Sequence, residues 1–565
     1  MLNHYDLIKI ARKLGHKSIT YDGLCKGFTG MWVQAICCGK EEEFNFERRL
    51  RLLGLYADAP AQLRQDIEQA RQLKKEIDQA LLLEKEGKQL STQQKALLEN
   101  PELDEKQKIL LEIPAFFDGI AAYYMPWNFS EMMGGKILWQ FNEVEISQYL
   151  QSTKLEQLGG LECAFQTTDQ YKPKELSDYL YSISSELNNK PNVAIDFMAN
   201  GHSMGVMVVG PNRFRLFDIN HLDMRGRIYN SEQLAQTMNN QFNNSHWLGW
   251  FIEADPLVLS TSIFTNQNNP INLDNLKASS KVSELTSAKN QFTLLHGAAA
   301  RNDVATLKRI DFKKINVNQF EGGDNKVPAL AAAALASAHD SAEYLLSLPG
   351  IDVNPVGTET LPLFCAISVK NYDLAHNITE HPSFKPDATA NLDNALHFLA
   401  HTRNPTEKTL SFARHLVAKG VDIHKKNKDG NTPLYEACLS GNSQLVKFFL
   451  NQGANLNELN SKNRSVLHAA VIGNNINLVK QLLTMGVDCN LRDKEGMRPL
   501  ELACRVGNPE LLCSVLDKTT LWREDIKPDS SLGQLANYLG PKVQAVFLKT
   551  ALESYIITPA FKYCY

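Results

Sequence analysis

The chain has 565 residues, 43% hydrophobic and 22% charged, a globular balance with room for three or four domains of roughly 150 residues each. Fifty-nine Lys and Arg against 63 Asp and Glu leave a formal charge of −4, which excludes a global electrostatic pull toward nucleic acid or an anionic membrane. No run of about 18 apolar residues is present to span a bilayer. The opening MLNHYDLIKIARKLGHKSIT lacks the apolar block and cleavage site of an export signal. Ten cysteines are scattered over the chain without paired C-x-x-C and His spacing, against both a structural zinc site and a disulfide scaffold. Reduced thiols, a cytosol-like compartment and no metal or cofactor are therefore expected.

In chain order, the first informative stretch is YDGLCKGFTGMWVQAICCG at 21–39. Gly23 and Gly27 bracket Cys25, and an apolar helical pattern follows through Met31, Trp32, Ala35 and Ile36. This places Cys25 at or just before a helix N-terminus, where free N–H groups and the macrodipole favour a thiolate and an oxyanion. Cys37 and Cys38, further along, read as core. Residues 61–114 form a charged helical hairpin inserted into the core: Leu63, Ile67, Ala70, Leu73, Ile77 and Leu81 make its stripe. Ser91 with Gln94 reads as a capping box. Asn100-Pro101 opens a further helix that Pro114 is expected to end.

The second stretch is NGHSMGVMVVGPNRFRLFDINH at 200–221. Residues 203–209 and 213–217 read as strands joined by the turn Gly210-Pro211-Asn212. Folding that hairpin puts His202 opposite residues 218–220, where Asp218 and Asn220 both lie. A Cys at a helix start, a His at a strand start and an acid on the paired strand are nucleophile, base and orienting group of thiol catalysis. Asp218 is preferred over Asn220; His221 and His246 are weaker alternatives for the base.

GLCKGFTGMW, NGHSMGV and LFDIN, in that order, resemble a papain-fold cysteine protease, nearest to the bacterial effector proteases of the YopT type. The resemblance covers residues 1–60 and 115–255. It implies Cys25 as nucleophile, His202 as general base and Asp218 as orienting acid. One position departs from the pattern: papain-like enzymes often carry a Gln about six residues before the Cys, and Ile19 stands there, with Ser18, Thr20 and Tyr21 as neighbouring substitutes. The chemistry admits attack on a peptide, side-chain amide, thioester or isopeptide bond, and the residues do not choose among them.

A polar Asn/Ser-rich linker is expected at 261–288. Beyond it a repeat appears: TLLH from Thr293, VPAL from Val327, LPLF from Leu361, NALH from Asn394, TPLY from Thr432, SVLH from Ser465 and RPLE from Arg498, at offsets of 34, 34, 33, 38, 33 and 33 residues. The segment 401–409 supplies the one insertion. Small residues after each start and a second apolar helix such as QLVKFFL (444–450) complete the unit. This region, 289–520, resembles the ankyrin family, whose arrays stack into solenoids that bind proteins. Residues 521–565 read as a C-terminal helical cap.

The expected architecture is thus α+β: a papain-like cysteine-protease domain (1–60 and 115–260) with an inserted helical hairpin, then an all-α ankyrin-repeat solenoid. The combination is similar to ankyrin effectors that Legionella injects into host cells, which implies a host protein as partner and the host cytosol or nucleus as the place of action. Two readings follow: a thiol acyl-transfer enzyme delivered to a host protein by its repeats, or a non-catalytic interaction protein whose protease-like domain is inactive. Nucleic-acid binding has no motif to carry it.

Overall fold

The computed structural model describes residues 4–16, 19, 21–129, 132–133, 146, 149–199, 202–218, 227–243, 257–279, 294–320, 326–402, 405–521, 545–546 and 550. Two compact units are present, Met1–Ile351 and Asp352–Tyr565.

The first unit opens with helices α1 (His4–Leu14), α2 (Tyr21–Cys38) and α3 (Lys40–Leu55). Gly39 between α2 and α3 has φ 101°, a conformation that a side chain would strain. Then come α4 (Pro60–Lys85), α5 (Thr92–Glu99) and α6 (Glu105–Tyr124). The capping box of Ser91 and Gln94 opens α5. Asn100-Pro101 does not open α6; Asp104 does, in a second capping box with Gln107. Nor does Pro114 end it, for the helix runs ten residues further. Phe116, Phe117, Ile120 and Ala121 are buried in the same core as α2, and that burial outweighs the hydrogen bond that the proline removes. The α2–α6 crossing is close because glycines line it. A methyl group on Gly30 would meet the Tyr123 ring at 2.8 Å, and one on Gly27 would strike Ile120. Gly27 is thus a packing glycine. Leu63, Ile67 and Ala70 at the base of α4 share this core, while Leu81 toward its tip is exposed.

After α7 (Thr153–Gln157) the chain builds a sheet from β1 (Leu161–Tyr171), β2 (Ala194–Ala199), β3 (His202–Gly210), β4 (Arg213–Phe217), β5 (Ile228–Tyr229) and β6 (Leu257–Asn266). Its order is β1-β6-β2-β3-β4-β5 and every described pair is antiparallel. Helices α8 (Pro173–Leu187) and α9 (Ser231–Asn243) cover one face, packing Leu180, Ile183 and Leu234 on Ile195, Phe197, Val206 and Phe214. On the other face lies α2, with Trp32 and Ile36 in a core shared with Ala194 and Phe264.

The linker expected from 261 is corrected here. Residues 257–266 form β6, paired on both sides with β1 and β2, and a short helix α10 (Asp274–Ser279) follows. The Asn/Ser-rich composition of 261–288 suggested a solvated segment. Ser260, Thr261 and Ser262 are nevertheless buried, and Ser260 meets Thr168 Oγ1 at 2.9 Å across the β1 pairing.

The repeat phase corresponds to a series of helical hairpins. In the first unit these are α11 (Leu294–Ala300) with α12 (Val304–Arg309) and α13 (Ala329–Leu335) with α14 (His339–Leu346). The second unit contains α15 (Pro362–Ser368) with α16 (Tyr372–Glu380), α17 (Ala395–Ala400) with α18 (Glu407–Ala418), α19 (Pro433–Leu439) with α20 (Ser443–Asn451), α21 (Val466–Ile472) with α22 (Ile476–Thr484), and α23 (Pro499–Val506) with α24 (Pro509–Leu516). Imidazoles tie successive hairpins: His397 Nε2 donates to the carbonyl of Asn431 at 3.0 Å, and His468 Nε2 to that of Met497 at 3.2 Å. The expected C-terminal cap falls almost wholly outside the described residues.

Candidate active site

Three segments bring the site together. α2 carries Cys25, β3 begins at His202, and Asp218 follows the last residue of β4. The β3–β4 register pairs Gly205 with Phe217, so the hairpin carries His202 back over the end of β4. There His202 Nε2 lies 3.2 Å from Asp218 Oδ1. The Asp218 carboxylate is buried and the imidazole is nearly so, conditions under which an ion pair is screened little. The thiol of Cys25 is also a hydrogen-bond partner of His202. Burial pulls the imidazole down, but the hydrogen bonds and charges of Asp218 and Cys25 more than offset it and push its pKa up to about 10. An imidazole so held is protonated at neutral pH and stabilises a thiolate beside it.

Two details modify the sequence expectation. The helix opens at Tyr21, which makes Cys25 its fifth residue. Only the first four N–H groups of a helix are free, so the Cys25 amide is not among them and the dipole there is weaker. Ile19, at the position of the usual Gln, is fully buried, and an apolar side chain offers no oxyanion donor. Cys25 itself is only 4% exposed. Asn220, His221, His246, Ser18 and Thr20 lie outside the described residues, as does the side chain of Tyr21.

Sequence reasoning missed the groups that hold α2 against the sheet. Ile195 and Phe197 of β2 face the α8–α9 core, so Asp196 between them points toward α2. There its Oδ2 lies 3.8 Å from Lys26 Nζ, and its Oδ1 accepts from Ser203 Oγ at 2.6 Å. Thr29 Oγ1 of α2 donates to the Ser203 carbonyl at 3.3 Å. The neighbours in sequence of Cys25 and His202, Lys26 and Ser203, are therefore joined through one buried carboxylate. Burial lowers the Lys26 pKa to about 7, against the pull of Asp196. A signal existed: a lone Asp in the apolar strand AIDFMA needs a buried partner. Aromatic rings complete the grip, since Trp32 and Phe28 stack on Phe217, the residue before Asp218, with centroids 5.3 and 5.9 Å apart.

Six other thiols are held protonated by their surroundings. Burial pushes up Cys37, Cys38, Cys365, Cys438 and Cys489, and Cys163 to about 12, which leaves them protonated and inert.

The helical hairpins of the C-terminal region define a repeat protein of the α-solenoid class. The pattern described as "Ankyrin repeats (3 copies)" matches residues 363–460, 396–493 and 444–525. The C-terminal region thus carries ankyrin repeats, which points to a protein partner. Comparison with curated proteins gives no match. Among the described residues no helix is long and apolar enough to cross a membrane.

Proposed function

We propose that this chain is a thiol acyl-transfer enzyme, a papain-like cysteine protease in its chemistry, that acts on a protein recognised through its ankyrin repeats. The carrying observation is the grouping of Cys25, His202 and Asp218, with the 3.2 Å contact between imidazole and carboxylate and a hydrogen bond between the thiol and His202. In this mechanism the Cys25 thiolate attacks a carbonyl carbon, His202 protonates the leaving group, and water or an amine releases the acyl group from sulfur. Asp218 fixes the ring and stabilises its protonated form. The resemblance to bacterial effector proteases, joined to ankyrin repeats, extends the proposal to a protein translocated into a host cell, working on a host protein in the cytosol or nucleus.

A second reading has its own support in the buried, apolar Ile19 and the nearly inaccessible Cys25: an interaction protein whose protease-like domain does no chemistry. Iodoacetamide alkylation separates the two. On the first reading Cys25, located by peptide mass mapping, reacts at pH 6 at least tenfold faster than the half-buried Cys504 and Cys513, and His202→Ala abolishes the advantage. If Cys25 reacts no faster than those thiols in either protein, the enzyme is excluded and the interaction protein stands.

A further inference from the structure

On α16 and α18, the second helices of two successive repeats, His376, Glu380 and His415 bring one ligand atom each within 4.8 Å of one another. His376 and Glu380 are one turn apart on α16, so both point the same way. His415 reaches them from α18: its Nε2 lies 3.2 Å from His376 Nδ1 and 3.8 Å from Glu380 Oε1. Two nitrogens bound at about 2.0–2.1 Å to a tetrahedral zinc stand about 3.3 Å apart, so the imidazoles already hold that spacing. We propose that His376, Glu380 and His415 form a binding site for a divalent transition-metal ion of the zinc class, which staples α16 to α18 and leaves a fourth position for water.

The surroundings suit this assignment. His415 is backed by the ring of Phe412, stacked at 5.8 Å, and Tyr372 OH meets Thr409 Oγ1 at 3.1 Å between the same two helices, so the ligands sit on a fixed framework. Lys419 Nζ takes Glu380 Oε2 at 2.9 Å, leaving Oε1 for the ion. Thr379 Oγ1 donates to the His376 carbonyl at 2.8 Å and accepts from His415 Nε2 at 2.7 Å. Metal binding at Nε2 therefore takes the place of this contact with Thr379, and the ring's remaining proton then sits on Nδ1. The alternative is a plain hydrogen-bonded pair of histidines.

Zinc and cobalt titrations of the untagged full chain decide between them. The expected result is one equivalent of zinc bound at micromolar or tighter affinity, raising the melting temperature of the repeat region. The cobalt complex should show tetrahedral d–d bands and no thiolate charge-transfer absorption. His376→Ala and Glu380→Gln should each weaken binding at least tenfold, with the melting temperature of the metal-free protein unchanged because both side chains are exposed. Three results would each overturn the site: no binding below about 100 µM zinc (a hundredfold shortfall from micromolar is about 3 kcal/mol), undiminished binding in His376→Ala, or a thiolate band that moves the metal to cysteine.

Discussion

His202 and Lys26 pull the pH dependence of stability in opposite directions across one window. Folded, His202 keeps its proton up to about pH 10, whereas an unfolded histidine releases it near 6.5. Its contribution is therefore complete below about pH 6.5 and is lost as pH rises toward 10. Lys26 is the reverse. Folded, it loses its proton near 7, while unfolded it holds it to about 10.4, so the folded state gains stability as pH climbs between those values. Each slope is bounded by about 1.4 kcal/mol per pH unit, and in the wild type they largely cancel. Urea midpoints taken from pH 7 to 9.5 resolve them. The wild-type advantage over His202→Ala should shrink with rising pH, and the advantage over Lys26→Met should grow. Differences that stay flat across that range mean that neither group is held as described.

At the scale of elements, the thiol and the imidazole meet only because α2 lies very close to β3. Gly205 permits this approach: a methyl group there would sit 2.5 Å from the Trp32 ring. Gly205→Ala should cost about 1–3 kcal/mol by overpacking, and it should move Cys25 from His202 so that fast alkylation at pH 6 disappears. Gly210→Ala on the same strand is the control, since the nearest atom to its methyl is 3.7 Å away. Equal stability and labelling in the two variants would sink this account. The β3–β4 hairpin was legible in the sequence, because Gly210-Pro211-Asn212 marks the turn and counting back from it sets His202 against Asp218. The repeats were legible because phase survives degenerate residues. β6 was not: LVLSTSIFTN lies last among the strands in sequence but between β1 and β2 in the sheet, and such long-range pairing leaves no local pattern. Pro114 misled because tertiary burial overrides a local breaker. Lys26 and Asp196 were overlooked because each charge needs its partner, 170 positions away in the chain, to make sense inside a core.

At the scale of the molecule, the sheet and the first repeat are one folded body, so the protein should not divide where a linker was expected. Arg301, directly after α11, is buried and its charge faces Asp196 and Asp303. Its carbonyl accepts from Gln166 Nε2 of β1 at 2.9 Å, and Thr306 Oγ1 of α12 lies 3.4 Å from the amide nitrogen of Thr168. The first repeat therefore covers polar groups of β1 and supplies a cation to the carboxylate that ties α2 to the sheet. A fragment ending at residue 288 exposes those groups and removes Arg301 from Asp196; stripping one partner from a buried charge network costs about 3–5 kcal/mol, a large share of the stability of an ordinary domain. A fragment ending at Ile351, the boundary of the compact unit, retains both. Urea unfolding should place the 1–288 fragment well below the 1–351 fragment or find it unfolded, and only the longer one should keep the fast alkylation of Cys25. Equal midpoints would show instead that the repeats are carried by the sheet domain and do not complete it, and the candidate active site would then owe nothing to the array that follows it.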